Sequence, residues 1–282
     1  MTYVALITGA SSGIGEATAR RLSGQPEVQL VLVARREDRL RALASELPGN
    51  PTVIAADLTE PASAPLIAET VEREHGALHL LVNNAGARWS ASFEEGGWDN
   101  VARHMQVNFE APVRLVEALL PLMRRTAKEP GLGAGLIPAH HPDRISSTAA
   151  PVSIVNVTST SGRVARRGTG GYAAAKFAFT GWNDSLALEE AANGVHVGMV
   201  LPGFIATEGF PQAELRANPR TRWMVADTSV VVDAILEVGP GGKRERYAPR
   251  YYWLFATARL VAPKLLRRSM SRGTFTTKTR ST

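Results

Sequence analysis

A short apolar run that breaks into closely spaced glycines limits this chain more than any other stretch. Tyr3-Val4-Ala5-Leu6-Ile7 is aliphatic and β-branched, the pattern of a buried parallel strand. Thr8-Gly9-Ala10-Ser11-Ser12-Gly13-Ile14-Gly15 follows at once, and from Glu16 to Leu22 the apolar residues Ala17, Ala19 and Leu22 keep a helical pattern. A strand, a tight turn and a helix N-terminus in that order make an anion site. Free backbone N–H groups and the helix dipole there converge on one point. Glycine lets the backbone approach a pyrophosphate with no Cβ in the way. The spacing is G-x-x-x-G-x-G rather than G-x-G-x-x-G, so alone it leaves a plain turn and a nucleotide cradle equally open.

A second stretch, Tyr172-Ala173-Ala174-Ala175-Lys176, falls in a helical pattern from Gly171 to Ala192. Residues four apart share a helix face, which sets Lys176 beside Tyr172. A phenol with a pKa of ~10 exchanges protons poorly at neutral pH, and a nearby ammonium favours the phenolate. Such a pair makes a usable acid/base. Alone, it reads first as a chance Tyr and Lys on an amphipathic helix.

Between the two stretches, Asp57-Leu58 and Asn83-Asn84-Ala85-Gly86 each follow a strand pattern, and Asn108 falls within a helical one. Ser159 stands thirteen residues before Tyr172, and Pro202-Gly203 with Thr207 follows the next strand. In this order and register the motifs resemble those of the short-chain dehydrogenase/reductase family, from Tyr3 to about Thr207. The resemblance implies an α/β fold, a Rossmann-type doubly wound parallel sheet of about seven strands with helices on both faces. It implies a catalytic tetrad of Asn108, Ser159, Tyr172 and Lys176. Ser159 would bond the substrate oxygen, and Tyr172 would exchange its proton. Lys176 would hold the nicotinamide ribose and depress the Tyr172 pKa, while Asn108 would position a water.

The same resemblance assigns cofactor contacts to Gly9, Ser11, Ser12, Gly13, Ile14 and Gly15. It adds Asp57 (against the adenine amine), Leu58, Asn84, Ala85 and Gly86, then Tyr172, Lys176, Pro202, Gly203, Ile205 and Thr207. The expected activity is hydride transfer between NADP(H) and a carbonyl or secondary alcohol. The alternative is a non-catalytic NADP-binding sensor or scaffold. Relatives that prefer NAD end the second strand with an acid. This chain reads Val33-Ala34-Arg35-Arg36, with no acid before Glu37. Two guanidiniums suit a 2′-phosphate, so NADP(H) is favoured over NAD(H), with Arg35 and Arg36 as its ligands.

With 282 residues and no cysteine, the chain reads as one α/β domain without disulfides, thiolate zinc sites or catalytic thiols. The first strand begins within three residues of Met1, and no apolar run approaches ~20 residues; a cytoplasmic protein is expected. The net charge of +6 is uneven: residues 240–282 hold eleven Lys/Arg and one acid, Glu245, leaving the first 239 residues at −4. Residues 1–240 read as the catalytic domain and 241–282 as a basic, aromatic extension.

Strands are expected at Val4–Thr8, Gln29–Ala34, Thr52–Ala56, Leu78–Asn83, Val152–Thr158, His196–Leu201 and Arg246–Ala248. Helices are expected at Glu37–Glu46, Pro61–His75, Trp98–Thr126 and Gly171–Ala192. Residues 127–150 read as an inserted loop on the side away from the chemistry, its His140, His141 and Asp143 solvated; no metal is expected. Pro249–Pro263 reads as one largely apolar helix continuing to Met270. Packing on the protein, as a lid or subunit contact, is favoured over contact with a membrane surface. The tail aromatics cluster instead of alternating with basic residues, which argues against nucleic acid. The partners expected are a small-molecule carbonyl or alcohol and further copies of the chain, as dimer or tetramer. The extended tail puts the family's common tetramer interface in doubt. Trp89, Phe204, Phe210, Pro211, Leu215 and Trp223 read as apolar substrate walls, suiting a lipid-, retinoid- or steroid-like compound.

Overall fold

The aliphatic runs become strands within two residues of their expected limits. The computed structural model describes residues 2–129, 150–208, 212–219 and 221–271. Its strands are β1 (Tyr3–Thr8), β2 (Val28–Ala34), β3 (Thr52–Ala55), β4 (Leu80–Asn83), β5 (Ser153–Val157), β6 (His196–Pro202), the short β7 (Phe204–Ile205) and β8 (Val225–Ala226), and β9 (Glu245–Ala248). Seven of them form one parallel sheet in the order β3-β2-β1-β4-β5-β6-β9, while β7 and β8 pair separately.

Alternate residues of each strand feed opposite faces, and helices cover both. Leu6, Val31 and Ile154 pack with α3 (Ser63–His75), α5 (Ala111–Thr126) and α6 (Gly170–Glu190) through Ile67, Leu115 and Leu186. Ile7, Leu32 and Val155 pack with α1 (Gly13–Ser23), α2 (Glu37–Glu46) and α8 (Thr228–Val238) through Leu22, Leu40 and Ile235. Burial on two faces explains why these strands read as unbroken apolar runs. The chain order reverses between β1 and β4, which opens a crevice beyond their C-terminal ends. Thr8 closes its floor: its Oγ1 accepts the backbone N–H groups of Asn84 (2.9 Å) and Ala85 (3.0 Å).

The expected helix Trp98–Thr126 needs correction. α4 starts earlier, at Phe93, and ends at Met105. A Ser92/Glu95 capping box sets the start: Ser92 Oγ accepts the Glu95 N–H, and the Glu95 carboxylate accepts the Ser92 N–H. Gln106–Glu110 is a wider π turn, and α5 follows.

The tail also differs from expectation. β9 pairs with β6 as an edge of the sheet, so a boundary after residue 240 falls inside the sheet. Beyond it come a 3₁₀ turn (Arg250–Tyr252), α9 (Trp253–Val261), a break at Ala262 and α10 (Pro263–Ser271), not one continuous helix. Tyr252 is buried against Phe204 and donates its hydroxyl to the Met224 carbonyl (2.9 Å). A Cβ on Gly203 would overlap the Tyr252 ring. Phe255 joins this cluster, whereas Trp253, Leu254, Leu260 and Val261 face solvent. Among the described residues no helix is long and apolar enough to cross a membrane. The insert at 130–149, with His140, His141 and Asp143, lies outside the described residues.

Glu237 anchors the last strand to α8. Its carboxylate, 7% exposed, accepts from Lys243 Nζ (2.7 Å) and from Arg246 Nε (2.6 Å) and Nη2 (3.0 Å). Burial pushes the carboxyl up, but the Arg246 and Lys243 hydrogen bonds and charges outweigh it and hold the pKa at about 2. A carboxyl depressed in the folded state contributes stability above its unfolded pKa and loses it as pH falls through the folded value. The contribution is therefore full above about pH 4.5, at most about 3 kcal/mol, and vanishes towards pH 2. Denaturant titrations of wild type and Glu237→Gln should diverge at neutral pH and converge in that window. A difference independent of pH would remove this role.

Candidate active site

The crevice holds the glycine turn at one end and the Tyr–Lys helix at the other. A main cleft of about 850 Å³ adjoins a recess of about 340 Å³. Gly9, Ser11, Gly13, Asp57, Leu58 and Ala85 line the recess, and Ser12, Ile14, Asn84 and Gly86 line both. Arg35, Arg36 and Thr207 also line both, while Pro202, Gly203 and Ile205 border only the main cleft. Gly15 lines neither and instead makes the turn possible. A Cβ on it would overlap the Gly9 carbonyl oxygen and come within 2.7 Å of Asn84 Nδ2. Such a cradle, with no room for a side chain, fits a dinucleotide pyrophosphate.

Two guanidiniums at the recess are held by its hydroxyls and carboxylates. Arg36 Nη2 donates to Ser12 Oγ (2.8 Å) and Ser11 Oγ (3.1 Å), which aims its guanidinium at the head of the turn. Arg35 lies 3.7 Å from Asp57. Asp57 also accepts the Thr59 N–H (3.0 Å) and hydroxyl (2.8 Å). Glu37, the nearest acid in sequence, is taken by Arg41 one turn along α2. Glu208 reaches over from the segment after β7 to Arg39 (2.7 Å) and Arg36 (3.8 Å).

Asn108, Ser159, Tyr172 and Lys176 all line the main cleft. Ser159 borders the cleft beside Tyr172 and pulls its phenol pKa down, and its Oγ accepts the Ser161 N–H (3.0 Å). Lys176 Nζ lies 5.9 Å from the Tyr172 ring centre and donates to the Val157 carbonyl (3.1 Å). Burial lowers its pKa to about 8. The expected depression of Tyr172 by Lys176 is not what the geometry gives. Burial raises the phenol above its ordinary value, and the pull back comes from Ser159, Arg88 and Arg166. Lys176 turns its ammonium to a backbone carbonyl instead. Asn108, buried in the π turn, donates Nδ2 to the carbonyls of Ala87 (2.9 Å) and His104 (3.2 Å). With its Oδ1 accepting the Ala87 N–H (3.3 Å), the side chain fixes the segment leaving β4.

Three residues escaped the sequence reading. His104, fully buried, packs edge-on to Tyr172 at 5.9 Å and to Trp89 at 5.1 Å. Its Nδ1 meets the Asn100 carbonyl (2.7 Å) and its Nε2 accepts the Trp89 N–H (3.0 Å), which defines the neutral tautomer. Standing four residues before Asn108, it shares that helix face, the one sequence signal available. Arg88 and Arg166 are the others, and both line the cleft.

They make the described walls mixed where apolar ones were expected. Trp89 and Phe204 line the cleft, but Arg103 lies 3.7 Å over Trp89 and Arg166 lies 4.8 Å over Phe204. Leu215 is buried beside Met224, and Trp223 is exposed against Tyr251. Phe210 and Pro211 lie outside the described residues.

A family model described as short chain dehydrogenase matches residues 3–132 and 147–217. The chain belongs to the short-chain dehydrogenase family. The 3-oxoacyl-acyl-carrier-protein reductase FabG of Escherichia coli is 29% identical to it over 208 residues, 73% of this chain and 74% of the relative. Nodulation protein G of a Rhizobium species is 32% identical over 205 residues, 71% and 72% of the two chains. A short-chain dehydrogenase from Streptomyces avermitilis matches in structure with a TM-score of 0.74 and 26% identity, covering 97% of this chain and 98% of that one. As a short-chain dehydrogenase the chain belongs among NAD(P)-dependent oxidoreductases with a Rossmann-like fold.

Proposed function

We propose that this short-chain dehydrogenase reduces a carbonyl or oxidises the corresponding secondary alcohol, with NADP(H) as partner and Tyr172 as the proton-exchanging group. The observation that carries the reading is one continuous cleft. It joins a turn in which Gly15 leaves no room for a Cβ, flanked by Arg35 and Arg36, to the hydroxyls of Ser159 and Tyr172. When bound, the nicotinamide would supply or take up the hydride.

The chain's own residues do the rest. Ser159 holds the substrate oxygen, and Tyr172 gives a proton to that oxygen or takes one from it. With burial raising the phenol, Tyr172 stays protonated at neutral pH, the state that reduction requires. Lys176 offers a cation in reach of a ribose at the cleft floor. Asn108 and His104 are positioning residues: one fixes the Ala87 backbone, the other the Tyr172 ring. The catalytic unit extends past residue 240 through β9 to Tyr252, which supports Gly203 and Phe204 behind the cleft.

Cofactor preference gives the direct test. β2 ends at Ala34 with no acid to hold a ribose diol, and Arg35 and Arg36, which line the recess, would supply the guanidiniums for a 2′-phosphate. Charge-assisted bonds of ~1.5–3 kcal/mol correspond to about 10–100-fold tighter binding of NADPH than NADH. Fluorescence titration should give that ratio, and Arg35→Asp should narrow or reverse it. Equal dissociation constants in the unmodified protein would remove Arg35 and Arg36 from this role.

A further inference from the structure

The substrate end of the cleft is far more basic than its sequence suggested. Arg88 stands two residues past Gly86, on the segment fixed by Asn108. Arg166 stands six residues before Tyr172, on the segment entering α6. Arg88 and Arg166 both line the cleft with Ser159 and Tyr172, and both act electrostatically on the Tyr172 phenol. Neither is fully exposed.

Two further features aim this charge at a ligand. Arg166 lies with its guanidinium 4.8 Å from the Phe204 ring centre, and Arg103 lies 3.7 Å from that of Trp89. Stacking leaves the planar N–H edge of a guanidinium directed sideways, the geometry that forks onto an oxyanion. Among the described residues lining the main cleft the one carboxylate is Glu208, at the cofactor end with Arg36 and Arg39. Arg166 is pushed down to about 10, by burial first and by the Arg88 charge next, and stays cationic at neutral pH.

We infer that the substrate carries an oxyanion, a carboxylate or phosphate, close to the carbonyl or hydroxyl that reacts, and that Arg88 and Arg166 grip it. Arg103 extends the same field to the mouth. This rests on reading the cleft as a redox site and names the substrate class of that site. It replaces a neutral lipid-like substrate with an acidic one.

Matched pairs test it. NADPH oxidation is followed with six-carbon 2-oxo, 3-oxo and 4-oxo acids against their methyl esters, and with dihydroxyacetone phosphate against dihydroxyacetone. At least one anion should exceed its neutral twin tenfold or more in kcat/KM, and the pair that responds separates carboxylate from phosphate. Arg88→Met and Arg166→Met should each cut that ratio at least tenfold, mainly through KM. Because each variant supplies its own neutral reference, a general loss of activity does not imitate the effect. Arg166→Lys, which keeps charge but loses the fork, guards against a variant that fails to fold and should fall between. Neutral members equal to anions in every pair would overturn the proposal, as would a preference that survives both Met variants. Calorimetry of the same acids and of dihydroxyacetone phosphate on NADP⁺-loaded protein separates the two readings. Anion binding that weakens in Arg166→Lys, without turnover of any pair, would sustain the grip and overturn the oxidoreductase reading. Absence of anion binding would overturn the grip itself.

Discussion

Tyr172→Phe should lower kcat by about 10²–10⁴-fold while NADPH affinity stays within a few-fold, the range a positioned acid contributes. The substitution removes one oxygen. The ring keeps its edge-on contact with His104 and its place on α6, so the cleft retains its shape. What disappears is the hydroxyl, and its proton, that stands in the cleft with Ser159. Steady-state rates together with a fluorescence titration of NADPH separate these effects. Activity above about a hundredth of wild type would contradict the role of Tyr172.

Gly15→Ala should damage binding and folding together. The added methyl would meet the Gly9 carbonyl and Asn84 Nδ2. Neither neighbour has freedom to retreat: Asn84 donates Nδ2 to the Thr8 carbonyl (2.9 Å) and its backbone N–H to Thr8 Oγ1 (2.9 Å). The first turn of α1 must therefore move away from the sheet and widen the anion cradle. Forced overpacking of this kind destabilises by ~1–3 kcal/mol. We expect a thermal midpoint lower by several degrees and NADPH binding weakened by at least 100-fold. Gly181→Ala is the control, since α6 leaves that Cβ in open space and alanine there should stabilise by ~0.5–1 kcal/mol. Unchanged midpoint and affinity in Gly15→Ala would show that the turn yields more easily than its contacts imply.

The sheet was legible because its strands are buried twice over. Val4 to Thr8 or His196 to Leu201 has no other reading once both faces must be apolar. The meeting of Asn108, Ser159, Tyr172 and Lys176 in one cleft was legible because their spacing matches a known order. What escaped depended on three-dimensional encounters. Arg88 and Arg166 sit on irregular segments, where no periodicity reports direction, and their effect arises from arriving together at Tyr172. Leu215 and Trp223 looked like substrate walls by composition, yet one turned into a side cluster and the other outward. The start of α4 was readable, since Ser92 and Glu95 spell a capping box, but Gly96-Gly97 masked it. Gly97 breaks the helix with φ 49°. The tail was half legible: its aromatics do pack on the protein at Tyr252 and Phe255, while its outer apolar residues face water.

The π turn at Gln106–Glu110 changes which kinds of mutation this region can absorb. In an α-helix each residue advances the face by ~100°, so one extra residue re-phases everything beyond it. Here that surplus lets α4 present His104 to the Tyr172 ring while α5 presents Leu115 and Leu119 to the core. The two faces are tuned by chain length rather than by residue identity. Substitutions among the outward-facing neighbours should drift freely. A one-residue deletion that straightens the rod would swing either the tetrad asparagine or the aliphatic stripe out of place. Constraint at this point is therefore a matter of counting residues, and it would surface in the spectrum of tolerated insertions and deletions before it surfaced in that of tolerated side chains.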